Sequence, residues 1–352
     1  MADVTIFGAG SWGTALAASA ARSGCSVLLW CRRSEQARAI NASGRNPNYL
    51  SSVSLPPGVT ATDDPGEGAL FSHYWILALP TQTLRGFLPR LSPWCTSRTE
   101  ICNVAKGIEI STGKRISEIA EEFLPKGQYS VLSGPSFARE VAEGLPTAVT
   151  VASQNKGSAL FWQSRLNTSR LRIYTSSDVA GTEVGGAVKN VMAIASGMTS
   201  ALSLGDNARA ALVSRGLAEI MRLGRLLGAH PLTLAGLAGM GDLVLTCYSS
   251  QSRNFRLGEA LGRGLTLGEA KDEIGEVAEG AFTVRAVVEM GRRMGVELPI
   301  SEGVYRLLYE GASPEEELEK LMARDLKPEY SAGLLWEPPV VPEGKVGYNP
   351  DC

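Results

Sequence analysis

Val4-Thr5-Ile6-Phe7-Gly8-Ala9-Gly10-Ser11-Trp12-Gly13 is the stretch whose reading decides the fold. Its first four residues make a short buried strand that runs straight into Gly-x-Gly-x-x-Gly. An alanine-rich stretch, Thr14 to Arg22, follows as a helix and stops at Gly24. Ser26 to Trp30 is a second strand. Strand, glycine turn, helix and strand within about 30 residues make a βαβ unit. In that setting each glycine has a task. Gly8 permits the tight turn, Gly10 removes the Cβ that would block a pyrophosphate, and Gly13 lets helix and strand pack closely. The helix N-terminus offers free N–H groups and a positive dipole to the phosphates. The segment, with Ser11 and Trp12 inside it, is therefore expected to hold a dinucleotide.

The alternation continues outward. Val59 to Ala61, Tyr74 to Leu79 (stopped by Pro80), Ile101 to Ala105, Ser130 to Leu132 and Thr147 to Ala152 read as strands. Thr81 to Leu88 reads as a helix, and Ser111 and Thr112 as the cap of a helix running to Leu124. After Tyr174 the texture changes. From Asp178 to about Leu335 strand signals nearly vanish, and Ala208 to Leu227, Phe282 to Met294 and Pro314 to Arg324 show helical spacing. The expected fold class is α/β, an N-terminal doubly wound Rossmann-type sheet with a mostly α-helical C-terminal domain. The expected units are a dinucleotide-binding domain at 1–177, a helical substrate-binding domain at 178–336 and an irregular, Pro- and Gly-rich tail at 337–352.

Composition narrows the function. The chain has 352 residues, with Lys and Arg totalling 34 against 36 Asp and Glu, so the net charge is −2. That lacks the basic excess of a nucleic-acid or anionic-membrane binder. The N-terminus carries no basic run ahead of an apolar one, so no signal peptide is read there. The longest nearly uncharged run, about Val191 to Leu204, is shorter than the ~20 apolar residues a spanning helix needs. No stable membrane insertion is expected, and the setting expected is cytoplasmic. The six cysteines, at 25, 31, 95, 102, 247 and 352, form no C-x-x-C pair and read as reduced thiols. With two histidines, His73 and His230, neither a histidine-ligated metal site nor a histidine acid–base group is expected.

Polar residues in apolar, glycine-rich surroundings mark the chemistry. The second strand ends in Cys31-Arg32-Arg33, where an NAD-selective site carries an acid for the ribose 2′-hydroxyl. Two arginines suit a 2′-phosphate instead, which favours NADP with NAD also accepted; the other reading is a solvated loop. Lys106-Gly107 follows a strand end, where the binding crevice of such sheets lies. Gly134 and Ser136 lie in Ser133-Gly134-Pro135-Ser136-Phe137-Ala138, a turn whose N–H groups suit an anion. Lys189 sits in Gly185-Gly186-Ala187-Val188-Lys189-Asn190, and no neighbour three or four residues away on its helix can pair with it. Such a lysine loses solvation and its pKa falls toward a useful acid–base range, unless it snorkels at the surface. Asp242, between Gly241 and an apolar run, is either a helix cap or a site carboxylate. Ser252-Arg253-Asn254 offers a fork donor and an amide suited to phosphate, or is an exposed loop.

Taken together these segments resemble one family, bacterial NAD(P)-dependent glycerol-3-phosphate dehydrogenase. The matching stretches are 8–15, Asn48-Tyr49-Leu50, Lys106-Gly107-Ile108-Glu109, 133–138, 186–190, Gly205-Asp206-Asn207-Ala208-Arg209, 236–243, 252–254 and Val277-Ala278-Glu279-Gly280. They occur in family order and cover nearly all of residues 1–300. The resemblance implies reversible NAD(P)H-dependent reduction of dihydroxyacetone phosphate to sn-glycerol 3-phosphate, for phospholipid synthesis, by a homodimer with a phosphorylated small-molecule substrate. It implies Lys189 as the proton donor and acceptor. It puts Lys106, Gly134, Ser136, Asp242, Ser252, Arg253 and Asn254 on the substrate. It puts Ser11, Trp12, Arg32, Arg33, Tyr49, Lys106, Ala138, Arg253, Val277 and Glu279 on the cofactor, beside Gly8, Gly10 and Gly13. Trp12 stands where Phe or Tyr is common, and Ala78-Leu79-Pro80-Thr81 differs from the family's usual segment. The alternatives are a dehydrogenase of another phosphorylated or β-hydroxy acid substrate, and a dinucleotide sensor without turnover.

Overall fold

The computed structural model describes residues 3–125, 127–275, 278–326 and 328–329. Eight strands form one sheet: β1 (Asp3–Phe7), β2 (Ser26–Trp30), β3 (Val59–Thr62), β4 (Tyr74–Leu77), β5 (Glu100–Asn103), β6 (Gln128–Ser133), β7 (Thr147–Ala152) and β8 (Leu171–Ser176). Their order across the sheet is β3-β2-β1-β4-β5-β6-β7-β8. The first six are parallel and follow the 3-2-1-4-5-6 order of a dinucleotide-binding sheet. β7 runs antiparallel to β6 and parallel to β8. The parallel strands are near-continuous apolar runs because helices cover both faces, as in Val4, Ile6 and Phe7, all fully buried. The order reverses between β1 and β4, so the crevice opens beyond Phe7 and Leu77, where the glycine turn begins.

The sequence reading missed β8 and the helix Lys156–Leu166 before it. That helix carries almost no amphipathic signal, and β8 alternates Arg172 and Tyr174 with buried Leu171 and Ile173 at a sheet edge. The expected cap at Ser111 and Thr112 is a correction. The helix begins only at Ile116, where the Glu118 carboxylate accepts from the Arg115 N–H at 2.8 Å, while the Thr112 hydroxyl donates to Glu109. The expected irregular tail, 337–352, lies outside the described residues.

Past the sheet the chain is helical among the described residues. Asp178 caps the long helix Val179–Ala201 through the Gly181 N–H. This helix is buried at every position from 181 to 198. A helix apolar all round belongs in a core, and among the helices that pack on it are Gly205–Leu226, Asp242–Cys247, Arg253–Gly262 and Glu279–Met294. Glycine permits the closest of these contacts. A Cβ on Gly197 would run into the Phe255 carbonyl oxygen, and one on Gly258 into the Ile194 carbonyl oxygen. The two helices therefore meet backbone to backbone. Gly258→Ala is expected to cost on the order of 1–3 kcal/mol or more. Gly268→Ala, at an exposed helix position where a Cβ would make only an ordinary contact with Thr266 Oγ1 at 3.9 Å, is expected to be neutral or stabilising by up to about 1 kcal/mol. Denaturant titration of the two variants distinguishes the cases.

Candidate active site

The glycine turn is built as its spacing required. Gly8 has φ +124°, and a Cβ there would run into the Ala78 carbonyl oxygen. A Cβ on Gly13 would run into the Gly8 carbonyl oxygen, whereas one on Gly10 would point into open space. The helix Ser11–Arg22 opens with no side chain capping its first N–H groups and no acid in its first turn, so the end stays free for an anion. Two buried amides, absent from the sequence reading, hold the turn from below. Gln36 Nε2 and Asn46 Nδ2 donate to the Ala9 carbonyl at 2.9 and 3.0 Å, and Asn46 also reaches Thr14 Oγ1 at 2.8 Å. Their signal was weak, since each is a lone amide outside any motif.

The expected cofactor residues gather around this turn. Trp12, Leu50 and Ala138 pack on one small apolar cluster, and Tyr49 sits half-buried beside Leu50. Trp12 Nε1 is buried without a hydrogen-bond partner. Arg32 and Arg33 are exposed just past the end of β2, whose Trp30 carbonyl accepts from the Gly8 N–H. Glu35 lies in the first turn of the next helix, beside Arg38. Glu279 opens the helix Glu279–Met294 and meets the sheet half near Thr81 and Gly107. Burial pushes its carboxyl up to about 7, against the Thr81 N–H and the Arg253 charge, and its Oε2 has no hydrogen-bond partner. Val277 lies outside the described residues. An uncapped helix end, the space over Gly10 and unpartnered polar atoms on Trp12 and Glu279 fit a dinucleotide.

The other expected residues converge on a single carboxylate. Asp242 is 1% exposed and accepts from two ammoniums, Lys189 Nζ on Oδ1 at 2.6 Å and Lys106 Nζ on Oδ2 at 2.6 Å. Lys189 comes from the long helix and Lys106 from the segment after β5, so the carboxylate ties helical half to sheet half. Asp242 is thus a buried, ion-paired carboxylate and not a helix cap, and Lys189 is not a snorkelling surface lysine. Thr246, one helical turn after Asp242, donates to the Asp242 carbonyl and accepts from Lys189 Nζ, each at 2.6 Å. Sequence reading missed Thr246; the spacing Asp-x-x-x-Thr was its only trace. Two of the three Lys189 N–H bonds are spoken for, and the third has no acceptor among the described residues.

Local backbone makes this convergence possible. A π-helical turn, Leu237–Gly241, delivers Asp242, and a Cβ on Gly239 would run into the Leu234 carbonyl. Gly134 has φ +143°, and its carbonyl accepts from Lys106 Nζ at 3.2 Å and from Ser136 Oγ at 2.9 Å. Burial and the neighbouring Lys106 charge lower the Lys189 pKa to about 8, although Asp242 opposes them. Burial pushes the Asp242 carboxyl up, but the two ammoniums outweigh it and hold it below the usual carboxylate range.

Ser252, Arg253 and Asn254 open the helix Arg253–Gly262, so they are not an exposed loop. Ser252 Oγ caps it through the Phe255 N–H. Asn254 donates to Asn190 Oδ1 and accepts from the Gly280 N–H, both at 2.9 Å, which leaves one N–H of its amide. Arg253 is half-buried within electrostatic reach of Glu279. Two ammoniums against one carboxylate leave this three-residue cluster with a net positive charge.

The chain as a whole has relatives. The family model for the N-terminus of NAD-dependent glycerol-3-phosphate dehydrogenase matches residues 3–159, and the model for its C-terminus matches 178–319. The chain belongs to the NAD-dependent glycerol-3-phosphate dehydrogenase family. It is 48% identical over 326 residues to a glycerol-3-phosphate dehydrogenase [NAD(P)+] of Rhodospirillum rubrum, covering 93% of each chain. It is 46% identical over 331 residues to one of Salinibacter ruber, covering 93% of this chain and 96% of that one. The crystal structure of glycerol-3-phosphate dehydrogenase from Coxiella burnetii superposes with a TM-score of 0.89 at 38% identity, over 92% of this chain and 99% of that one. Among the described residues no helix is long and apolar enough to cross a membrane.

Proposed function

We propose that this member of the glycerol-3-phosphate dehydrogenase family interconverts dihydroxyacetone phosphate and sn-glycerol 3-phosphate in the cleft between the units 1–177 and 178–336. We further propose Lys189 as the proton donor and acceptor. The observation that carries the reading is the Lys106–Asp242–Lys189 bridge, with one Lys189 N–H bond left over and a cationic excess around it. The cofactor is NADP, with NAD also accepted, and when bound it supplies or takes up the hydride at the substrate carbon. In the reducing direction negative charge builds on the carbonyl oxygen, and the Lys189 ammonium gives it a proton. In the oxidising direction the neutral amine takes the hydroxyl proton. Asp242 orients Lys189 and, with Thr246, holds it in one rotamer. Arg253, the free Asn254 N–H and Lys106 seat the phosphate dianion, for which charge-assisted bonds are the strong ones. The cytoplasmic setting and the homodimer belong to this reading through the family alone.

Lys189→Ala is expected to lower turnover by about 10²–10⁴-fold, the usual loss for an acid–base group, while NADPH still binds. A folded variant with near-parental turnover would remove Lys189 from the chemistry. The pH profile carries a sign. Reduction needs the ammonium, so its rate falls as pH rises through about 8, and oxidation gains over the same range. The Asp242 charge raises the Lys189 pKa, so Asp242→Asn is expected to move both limbs to lower pH in steady-state kinetics. The pair Arg32→Ala and Arg33→Ala is expected to weaken NADPH by roughly 10- to 100-fold and NADH little, since only NADPH carries the 2′-phosphate. Equal weakening in a fluorescence titration would show that these arginines do not read that phosphate.

A further inference from the structure

A second buried carboxylate ties the two halves together, away from the reacting groups. Glu183 lies on the long helix, six residues before Lys189, and is 6% exposed. All of its hydrogen-bond donors come from the sheet half. Oε1 accepts from the Ser117 N–H at 2.8 Å and from Tyr129 OH at 2.7 Å. Oε2 accepts from Ser117 Oγ at 2.6 Å and from Arg115 Nη1 at 3.4 Å. Arg115 and Ser117 lie at the N-terminal end of the helix Ile116–Phe123, where a negative charge is favoured. Tyr129 lies on β6, the strand that leads to Gly134.

A well-packed apolar pair would join two halves at least as cheaply as this buried charge. What the carboxylate adds is direction. Four donors on two oxygens fix both the height of the helix along its axis and its roll. Six residues place Lys189 about 9 Å further along the axis and about 120° round from Glu183. The clamp therefore grips a different face of the helix from the one that presents Lys189. Gly186, between them, completes the seat, since a Cβ there would meet Ser133 Oγ at 2.6 Å and Lys106 Cγ at 3.5 Å.

We propose that Glu183 is a positioning residue for Lys189, locking the long helix against the sheet half so that Lys189 and Lys106 close on the two oxygens of Asp242. The inference rests on the reading of Lys189 as the proton donor. It has a signed consequence. The charged and titratable groups facing Lys189 are Asp242 and Cys247 from the helix Asp242–Cys247, and Lys106 from the segment after β5. Burial and Lys106 hold the Lys189 pKa down. A slack junction admits water and carries Lys106 away, while Asp242 stays with the helical half. Both changes raise the pKa.

The test is the pH profile of reduction for the whole protein and for Glu183→Gln, Tyr129→Phe and Glu219→Gln. Glu219 is a matched control, a buried carboxylate on the helix Gly205–Leu226 that accepts from the Ile300 and Ser301 N–H groups and is not among the charged groups facing Lys189. Glu183→Gln is expected to lower kcat by on the order of 10- to 100-fold, as for a misplacement near 1 Å. It should also move the limb near 8 upward by about one pH unit, with NADPH affinity near the parental value. Tyr129→Phe should move the limb the same way by less, and decides the matter alone if Glu183→Gln does not fold. Glu219→Gln should lower the melting temperature and leave the limb in place. A parental limb near 8 that neither Glu183→Gln nor Tyr129→Phe moves, with kcat falling no further than in Glu219→Gln, overturns the positioning role alone. A parental profile with no limb near 8 overturns the Lys189 reading, and this inference with it.

Discussion

One carboxylate shared by two ammoniums is the constraint on which the site depends. Asp242 is almost fully enclosed, and an enclosed charge with no partner is among the costliest features a fold can carry. Lys189 and Lys106 remove that cost only if three chain segments, far apart in sequence, arrive within hydrogen-bond distance of one another. The π turn before Asp242, the left-handed Gly134 and the bare Gly186 are the local means of that arrival. Removing Lys189 or Lys106 leaves a carboxylate half-satisfied, so the site and the junction between the two halves are one structural problem.

The long helix is the element that solves it. Because it is buried on every face, it cannot adjust by sliding over solvent. Its glycines bring backbones into contact at Gly185 and Gly197, and dense interiors of this kind transmit displacement instead of absorbing it. Lys189 is therefore held by the whole helical core, and its lowered pKa follows from the same enclosure. Stability and chemistry share the same atoms here.

Most of the sheet and the burial of Lys189 were legible in the sequence. Gly8 and Gly13 could be read because each meets a local steric demand, written within six residues. Lys189 could be read because its own helix offered it no partner. What was illegible involved partners distant in sequence or cancelled periodicity. Asp242 could not be told from a helix cap, because the ammonium that distinguishes the two lies 53 residues away. Glu183 gave no signal, because its donors are 54 to 68 residues off. Thr246, Gln36 and Asn46 are ordinary polar residues until the fold closes around them. β8 was lost because an edge strand half open to solvent mixes arginine and threonine with its apolar residues. Ser111 and Thr112 resembled a cap, but the Glu109 carboxylate takes the Thr112 hydroxyl and Arg115 opens the helix instead.

The most direct test of the central claim is an NMR titration of the Lys189 ammonium in lysine-labelled protein, assigned by its absence in Lys189→Arg. Enclosure beside Asp242 and Lys106 predicts an apparent pKa of about 8. Titration near 10.5, the ordinary value for lysine, would mean that the ammonium is solvated and that Asp242 does not gather the site as described.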